Sequence, residues 1–95
     1  MIETVTPTAD AASLDLLWQD GQTSQITAET LRKQAQDAYS KRERIDTGDI
    51  AVAPGLTITA IHDMGYGFNI QFSDGHDKAI YPAPFLRELS EQFDK

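Results

Sequence analysis

The sequence predicts an α+β domain built on a small, mostly antiparallel β-sheet, with the element order β-β-α-β-β-β-α. Three observations predict this class. Apolar residues alternate with polar ones in several short segments, as they do in half-buried strands. Asp-Gly pairs at Asp20 and Asp74 suit the tight turns that join antiparallel neighbours. Apolar residues at helical spacing follow the first pair of strands and recur near the end of the sequence.

The first predicted element is a β-hairpin over residues 14–26, with Asp20 and Gly21 at its turn. Residues 1–12 are small and polar and show no apolar period, so we expect a flexible tail there and a single domain over residues 13–95. The hairpin residues predicted to face the core are Leu14, Leu16 and Trp18. For the tryptophan, an exposed recognition role is the alternative.

A helix is predicted directly after the hairpin. Thr27 is its expected N-cap, because a threonine hydroxyl can accept a hydrogen bond from an unpaired amide of the first turn. The helix is expected to fade within residues 39–42, and residues 43–55 are predicted as a loop with one short extended piece at 50–52. The face predicted to pack on the sheet consists of Ala28, Leu31, Ala35, Ala38 and Tyr39.

The second half of the chain is predicted as three strands and a closing helix. The strands are expected at residues 56–62, from residue 68 onward and at 78–81, and the helix at 84–93 with Pro84 in its first turn. Alternation is clearest in the middle strand. Its residues expected to face inward are Phe68, Ile70 and Phe72.

Composition excludes several classes of function. The 95 residues include no cysteine, which removes disulfides, thiolate metal sites and thiol nucleophiles. The formal net charge of −7 opposes binding to a phosphate backbone, so no nucleic-acid partner is expected. The start of the sequence has no secretory pattern, and no apolar run approaches the length of a membrane helix. We therefore expect a cytoplasmic protein with no membrane partner.

Charge is distributed unevenly along the chain. Residues 32–44 hold five basic side chains and two acidic ones, so this segment carries +3 and the remainder carries −10. One interpretation is that the bases complement helix ends and aid solubility. The other is a docking face for an acidic partner or an anion.

The run Ser73-Asp74-Gly75-His76-Asp77 concentrates groups that bind metals or move protons. It can be a structural tight turn, a contact for a ligand or partner, or a catalytic element that needs a second convergent group. His62-Asp63 is predicted to be an ordinary strand end. Gly65-Tyr66-Gly67 lacks the third glycine and the following helix of a dinucleotide fingerprint, which favours a turn.

Five segments in the same order carry a family resemblance. They are Leu14–Gly21, Leu31-Arg32, Gly65–Asp77, Ile80-Tyr81 and Phe85–Leu89. The chain resembles the gamma-butyrobetaine hydroxylase-like N-terminal domain over roughly residues 14–90. This small bacterial domain of unknown function also precedes the catalytic domain of carnitine-pathway oxygenases, and in plants it adjoins a P-loop ATPase that carries iron–sulfur clusters.

The resemblance implies a zinc module in the oxygenase members, made of three cysteines after the Leu-Arg pair and the histidine of the Asp-Gly-His run. Aligned on Leu31-Arg32, the cysteine positions fall at Ala35, Asp37 and Ser40, with His76 as the remaining ligand. Four zinc ligands are therefore not available, and no metal site is expected. The oxygenase iron ligands belong to a separate domain, so that activity is not implied.

The expected function is a non-enzymatic accessory module that binds a protein, without a cofactor. By analogy with the family, the partner would be an iron–sulfur carrier or an enzyme. The alternative is a small-ligand or metal-binding domain centred on the turn at residues 74–76. A hydrolase or isomerase is a third possibility, which requires a deep pocket around the histidine. The residues predicted to bind are Arg32, Lys33, Arg42, Tyr66, Asp74 and His76.

Overall fold

Nine elements make up the fold in a computed structural model that describes residues 2–36, 38–48, 52 and 54–93. The elements are β1 (Ile2–Pro7), β2 (Ser13–Trp18), β3 (Thr23–Thr27), α1 (Ala28–Lys33), α2 (Ala38–Thr47), β4 (Ile58–Asp63), β5 (Phe68–Phe72), β6 (Ile80–Tyr81) and α3 (Ala83–Phe93). The α+β class is confirmed. No helix in the described part of the chain has the length and apolarity to cross a bilayer.

The strands form two three-stranded antiparallel sheets, not one. The first has the order β1-β2-β3 and the second has the order β4-β5-β6. The hairpin predicted over residues 14–26 is present as β2 and β3, with Leu14 opposite Ile26. In the second sheet, Ile61 lies opposite Ile70 and Phe68 lies opposite Tyr81. The last strand is shorter than predicted.

The segment before residue 13, which was expected to be a flexible tail, contains a strand. Residues 2–7 form β1, which pairs with β2 and places Val5 opposite Leu16. The register shifts between Ile2 and Thr4, as it does at a β-bulge. Because one extra residue is absorbed there, the half-buried positions Ile2 and Val5 are three apart instead of two. The strand therefore lacks the alternation by which strands are recognised in a sequence.

The turn between β1 and β2 connects the two sheets and the first helix. The carbonyl of Ala11 accepts from the amide of Ile58, and the carbonyl of Ala12 accepts from the amide of Ala28, both at 2.8 Å. Ala11 adopts a positive φ of 59°. The hydroxyl of Thr8 donates to the carboxylate of Asp10 at 2.7 Å, and this bond lowers the pKa of that carboxyl group.

Two helices, α1 and α2, are present where a single helix ending within residues 39–42 was predicted. Thr27 caps α1 as expected, its hydroxyl accepting from the amide of Thr30 at 3.2 Å. The helix ends at Lys33, and α2 extends over residues predicted as loop. The guanidinium of Arg44 donates to the carbonyl of Lys33 at 2.9 Å, so a side chain from α2 satisfies the end of α1. In the extended piece predicted at 50–52, Ile50 and Ala51 lie outside the described residues.

One apolar cluster is shared by the two sheets and by α1 and α3. The predicted inward positions of β2 are buried, which confirms a core role for Trp18; its indole nitrogen donates to the hydroxyl of Ser24 at 2.9 Å. In β5, Ile70 and Phe72 are buried, but Phe68 is only half-buried and packs at the edge of the cluster. The prediction of three equivalent core residues in this strand is therefore wrong at Phe68, which begins the strand beside an exposed turn.

Two glycines in the second sheet are required for different reasons. Gly65 has a positive φ of 86°, which the turn between β4 and β5 needs and which side chains disfavour. Gly67 is buried, and a Cβ atom there would lie 3.1 Å from Ile80 Cγ2 and from backbone atoms of Pro82. The Gly-Tyr-Gly motif is thus a structural turn, as the sequence favoured.

Replacing Phe72 by alanine should lower the free energy of unfolding by about 3–4 kcal/mol, because it leaves a cavity in the shared core. The matched change Phe68→Ala should cost about 1–2 kcal/mol, since that ring is already partly in water. Urea unfolding followed by circular dichroism measures both. Equal losses for the two variants would contradict the observed difference in burial.

Candidate functional site

A salt bridge joins α1 to the turn after β5. Arg32 Nε donates to Asp74 Oδ2 at 3.0 Å, although 42 residues separate the two in sequence. Arg32 is only 5% exposed, and the Asp74 side chain is 25% exposed. The positive φ of Gly75 lets the turn present the aspartate. A buried guanidinium requires a compensating charge, and the turn supplies it.

Ser40 of α2 extends this contact to the histidine. Arg32 Nη1 donates to the fully buried hydroxyl of Ser40 at 3.1 Å. The same hydroxyl oxygen lies 3.4 Å from His76 Nε2, with donor and acceptor set by the histidine tautomer. Asp74 Oδ1 accepts from the backbone amide of His76 at 2.9 Å. We call these four residues, Arg32, Ser40, Asp74 and His76, the junction network.

Tyr81 lies beside the junction and fixes α1 against the second sheet. Its side chain is fully buried, and its hydroxyl donates to the carbonyl of Leu31. Its ring stacks on Phe85 of α3 at a centroid distance of 6.0 Å. The tyrosine therefore links β6, α1 and α3 with one side chain.

The polar atoms of the junction network bond to one another. Its one carboxylate already receives the Arg32 guanidinium and a backbone amide. The Ser40 hydroxyl lies between the Arg32 guanidinium and His76 Nε2, so it occupies one side of that ring nitrogen. In the described part of the chain, no group of three or more carboxylate, histidine or cysteine side chains is placed to hold a metal.

The structure brings together three of the six predicted site residues: Arg32, Asp74 and His76. Lys33 adjoins them and is half-buried. Arg42 lies on α2 with its side chain 84% exposed and pairs with Asp46 at 3.7 Å. A binding role for these residues stays a prediction.

Tyr66, the sixth predicted site residue, lies away from the junction network. It is 67% exposed on the turn before β5, whereas Asp74 and His76 follow that strand. A five-residue strand spans about 17 Å, so the tyrosine and the histidine lie at opposite ends of β5.

Of the three positions that align with the zinc cysteines, the structure describes two, and one of these lies beside His76. Ala35 is fully buried in the core cluster, and Ser40 lies beside His76. Asp37 is outside the described residues. Where the resemblance implies a metal, this chain places the Arg32 guanidinium and the Ser40 hydroxyl.

Sequence reasoning missed two residues of interest, Ser40 and Ile45. In the sequence, Ser40 stands out only because it aligns with a zinc cysteine of the family. That alignment could have indicated that its side chain faces the histidine, as the structure shows. Ile45 is 82% exposed on α2. Its signal was an isolated apolar residue in the charged run Lys41–Asp46, where a buried helix face would need apolar partners three or four positions away.

The two sheets, the interrupted helix and the junction network define a small α+β domain. The chain belongs to the family described as gamma-butyrobetaine hydroxylase-like, N-terminal, whose model matches residues 5–87. The match begins within β1, earlier than the domain start predicted at residue 13. No curated protein matches the chain.

Solved structures share the fold. A protein of unknown function from Acidithiobacillus ferrooxidans, which belongs to the DUF971 family, is 24% identical with a TM-score of 0.73. The alignment covers 94% of this chain and 91% of that one. One solution structure is 21% identical with a TM-score of 0.72, and the alignment covers 96% of this chain and 69% of that one. A second solution structure is 18% identical with a TM-score of 0.71, and the alignment covers 97% of this chain and 73% of that one. At these identities the likeness concerns the fold alone.

Asp74→Asn should destabilise the domain by about 2 kcal/mol, because it leaves the Arg32 charge buried without a counter-charge while water reaches part of the site. Asp77→Asn is the matched control. Asp77 is exposed and pairs only loosely with Lys78 at 3.8 Å, so its loss should cost less than about 0.5 kcal/mol. Thermal and urea unfolding measure both variants. A stable Asp74→Asn protein would show that the salt bridge does not hold the junction.

Adding Zn²⁺, Ni²⁺ or Fe²⁺ should leave the melting temperature unchanged, and calorimetry should detect no binding tighter than about 10 μM. The physical reason is that His76 Nε2 lies beside the Ser40 hydroxyl and that the Asp74 carboxylate is already paired with Arg32. Tighter binding that His76→Ala abolishes would contradict this expectation and favour the metal-binding alternative.

Proposed function

We propose that this domain is a non-enzymatic accessory module that binds an acidic partner protein through the outer face of α2. We call this surface the basic face and define it by Lys41, Arg42 and Ile45. The single observation that carries the proposal is the exposure of Ile45 among basic side chains. A large apolar residue surrounded by charge is typical of a protein contact, where the apolar group supplies affinity and the charges supply specificity.

The charge distribution supports an acidic partner. Within the +3 segment, the Arg32 charge is paired with Asp74, whereas Lys41 is exposed and Arg42 is exposed beside Asp46 at 3.7 Å. The remainder of the chain carries −10. An acidic partner is therefore attracted to one surface of the molecule and repelled elsewhere, which orients its approach.

A non-enzymatic role is favoured by the junction network. The side chains that the sequence offered for acid–base chemistry are committed to a salt bridge and to hydrogen bonds that join α1, α2 and the second sheet. Catalysis requires such groups to converge on a substrate-sized space. We propose that the domain works in the cytoplasm beside an enzyme or an iron–sulfur carrier; the family resemblance suggests this partner class.

The double variant Arg42→Glu with Ile45→Ser should lose the partner while keeping its fold, because both side chains are exposed. Affinity capture with the wild-type and variant chains, read by quantitative mass spectrometry, identifies proteins that depend on the basic face. Calorimetry with the purified candidate should show binding at least tenfold weaker for the variant. Raising the salt concentration should also weaken wild-type binding.

Lys78→Glu is the matched control, since it reverses an exposed positive charge outside the basic face. It should retain the partner. If all three chains capture the same proteins with equal affinity, or if the dependent partner is basic, the proposal is wrong.

A further inference from the structure

A small hollow lies where the turn between β4 and β5 meets the start of α3. Its volume is about 310 Å³, and its walls include the side chains of Asp63, Tyr66, Phe68 and Pro84. We call this the turn hollow and define it by these four residues. It brings the exposed ring of Tyr66 together with a carboxylate and an apolar surface.

The pairing register of the second sheet places the carboxylate beside the apolar wall. Asp63 lies opposite Phe68 in the pair of β4 with β5, so the two side chains leave the sheet on the same face. Their Cβ atoms are then about 5 Å apart. Phe68 is half-buried, and Pro84 adds apolar surface from α3. An occupant of the hollow therefore meets a charge and an apolar wall next to each other.

The Asp63 carboxylate is held in place, but only one of its oxygen atoms is used. Oδ1 accepts from the amide of Gly65 at 2.8 Å. Within the described residues, Oδ2 has no hydrogen-bond or ion-pair partner. No lysine or arginine is among the described residues that line the hollow. A negative charge with a free oxygen atom and no neighbouring counter-charge favours a cationic occupant.

The turn that carries Tyr66 is fixed by its own backbone contacts. The amide of Met64 donates to the carbonyl of Gly67 at 2.8 Å, and Gly67 is buried against the backbone of Pro82. The backbone beneath the tyrosine therefore needs no ordering when a partner binds, which lowers the entropic cost of the contact. Tyrosine is also among the residues enriched at protein interfaces.

We infer that the turn hollow binds one long basic side chain, lysine or arginine, from an exposed segment of a partner protein. The methylene stem of that side chain contacts Phe68 and Pro84, and its charged end donates to Oδ2 of Asp63. The ring of Tyr66 adds a cation–π contact. Lysine and arginine combine an apolar stem with a terminal charge, which matches the two kinds of wall that the hollow presents.

Other occupants fit the turn hollow less well. An apolar side chain removes water from the Asp63 carboxylate without replacing its hydrogen bond, and an acidic side chain is repelled. A second copy of this chain is disfavoured because each copy carries a net charge of −7, and charge of one sign opposes self-association. The turn hollow shares no residue with the basic face, so the inference goes beyond the proposed function, and either surface can fail without the other.

The first test compares acetylated, amidated pentapeptides that differ only in their central side chain. Gly-Ala-Lys-Ala-Gly and its arginine, norleucine and glutamate analogues are titrated into ¹⁵N-labelled protein at millimolar concentration, since a contact of one side chain is weak. The lysine and arginine peptides should shift the amides of residues 63–68 and leave those of residues 41–45 unchanged. Norleucine keeps the stem without the charge, so its peptide should bind about fivefold more weakly. The glutamate peptide should not bind.

The variant Asp63→Asn should abolish the preference for lysine over norleucine. The change keeps the turn, because an asparagine side-chain oxygen can still accept from the Gly65 amide. The lysine peptide should lose about fivefold in affinity, whereas the norleucine peptide should bind both chains alike. Tyr66→Ala should weaken both basic peptides about threefold, because the cation–π contact is lost.

Asp77→Asn is the matched control for the charge. Asp77 is exposed beyond the other end of β5, and its replacement makes the same change in net charge as Asp63→Asn. This variant should keep both the affinity for the lysine peptide and the preference over norleucine.

Four results would overturn the inference. The first is that neither basic peptide shifts the amides of residues 63–68. The second is equal weakening by Asp63→Asn and Asp77→Asn, which would reduce the interaction to net charge. The third is equal binding of the lysine and norleucine peptides to the wild type, which would make the hollow an apolar site. The fourth is a dimer in sedimentation experiments that protects the amides of residues 63–68 without peptide, which would assign the hollow to a second copy.

Discussion

The C-terminal end of α1 is where the halves of this domain are joined. A helix leaves its last four carbonyls without partners inside the helix, and a six-residue helix is too short to be stable alone. Here the carbonyls of Thr30 and Arg32 accept hydrogen bonds from backbone amides of the following turn. The other two carbonyls accept from side chains: the Leu31 carbonyl from the Tyr81 hydroxyl, and the Lys33 carbonyl from the Arg44 guanidinium. The end of the helix is therefore the place where side chains from other elements donate hydrogen bonds to its carbonyls.

The salt bridge between Arg32 and Asp74 reinforces the same junction. Each sheet has only three strands and needs an apolar layer from elsewhere to be stable. The shared core supplies that layer, and the salt bridge fixes how α1 lies on the second sheet. A charge buried in this way is costly unless it is paired, so Arg32 and Asp74 act as a unit. Their polar atoms are consequently engaged within the fold, whereas the side chains of Arg42 and Ile45 on α2 are exposed.

Membership in the gamma-butyrobetaine hydroxylase-like N-terminal family allows the junction network to be compared with the same region of members that have cysteines. The resemblance implies a metal held near the histidine in members that have cysteines. In this cysteine-free chain, a guanidinium, a hydroxyl and a carboxylate connect the same elements. Electrostatic and hydrogen-bonded links thus join segments that are far apart in sequence, as a metal would. Solved structures below 25% identity share the fold.

Local patterns determined much of the fold. Alternation in residues 14–18, the Asp-Gly turns, the Thr27 cap and Pro84 each act within a few residues, so the hairpin, the start of α1, the middle strand and the last helix could be predicted. The charge asymmetry and the Asp74–His76 turn were also visible in the sequence. Ile45, isolated among charges, could have been recognised by the same reasoning.

Only the tertiary structure decided the remainder. A bulge hides β1 by disturbing its period, and α1 ends early at a carbonyl that accepts from Arg44; neither feature has a local signature. The division into two sheets and the meeting of Arg32, Ser40, Asp74 and His76 depend on contacts between distant segments. Sequence periodicity reports which residues prefer burial, whereas the partner of a buried charge and the neighbour of a strand edge are set by how the whole chain packs.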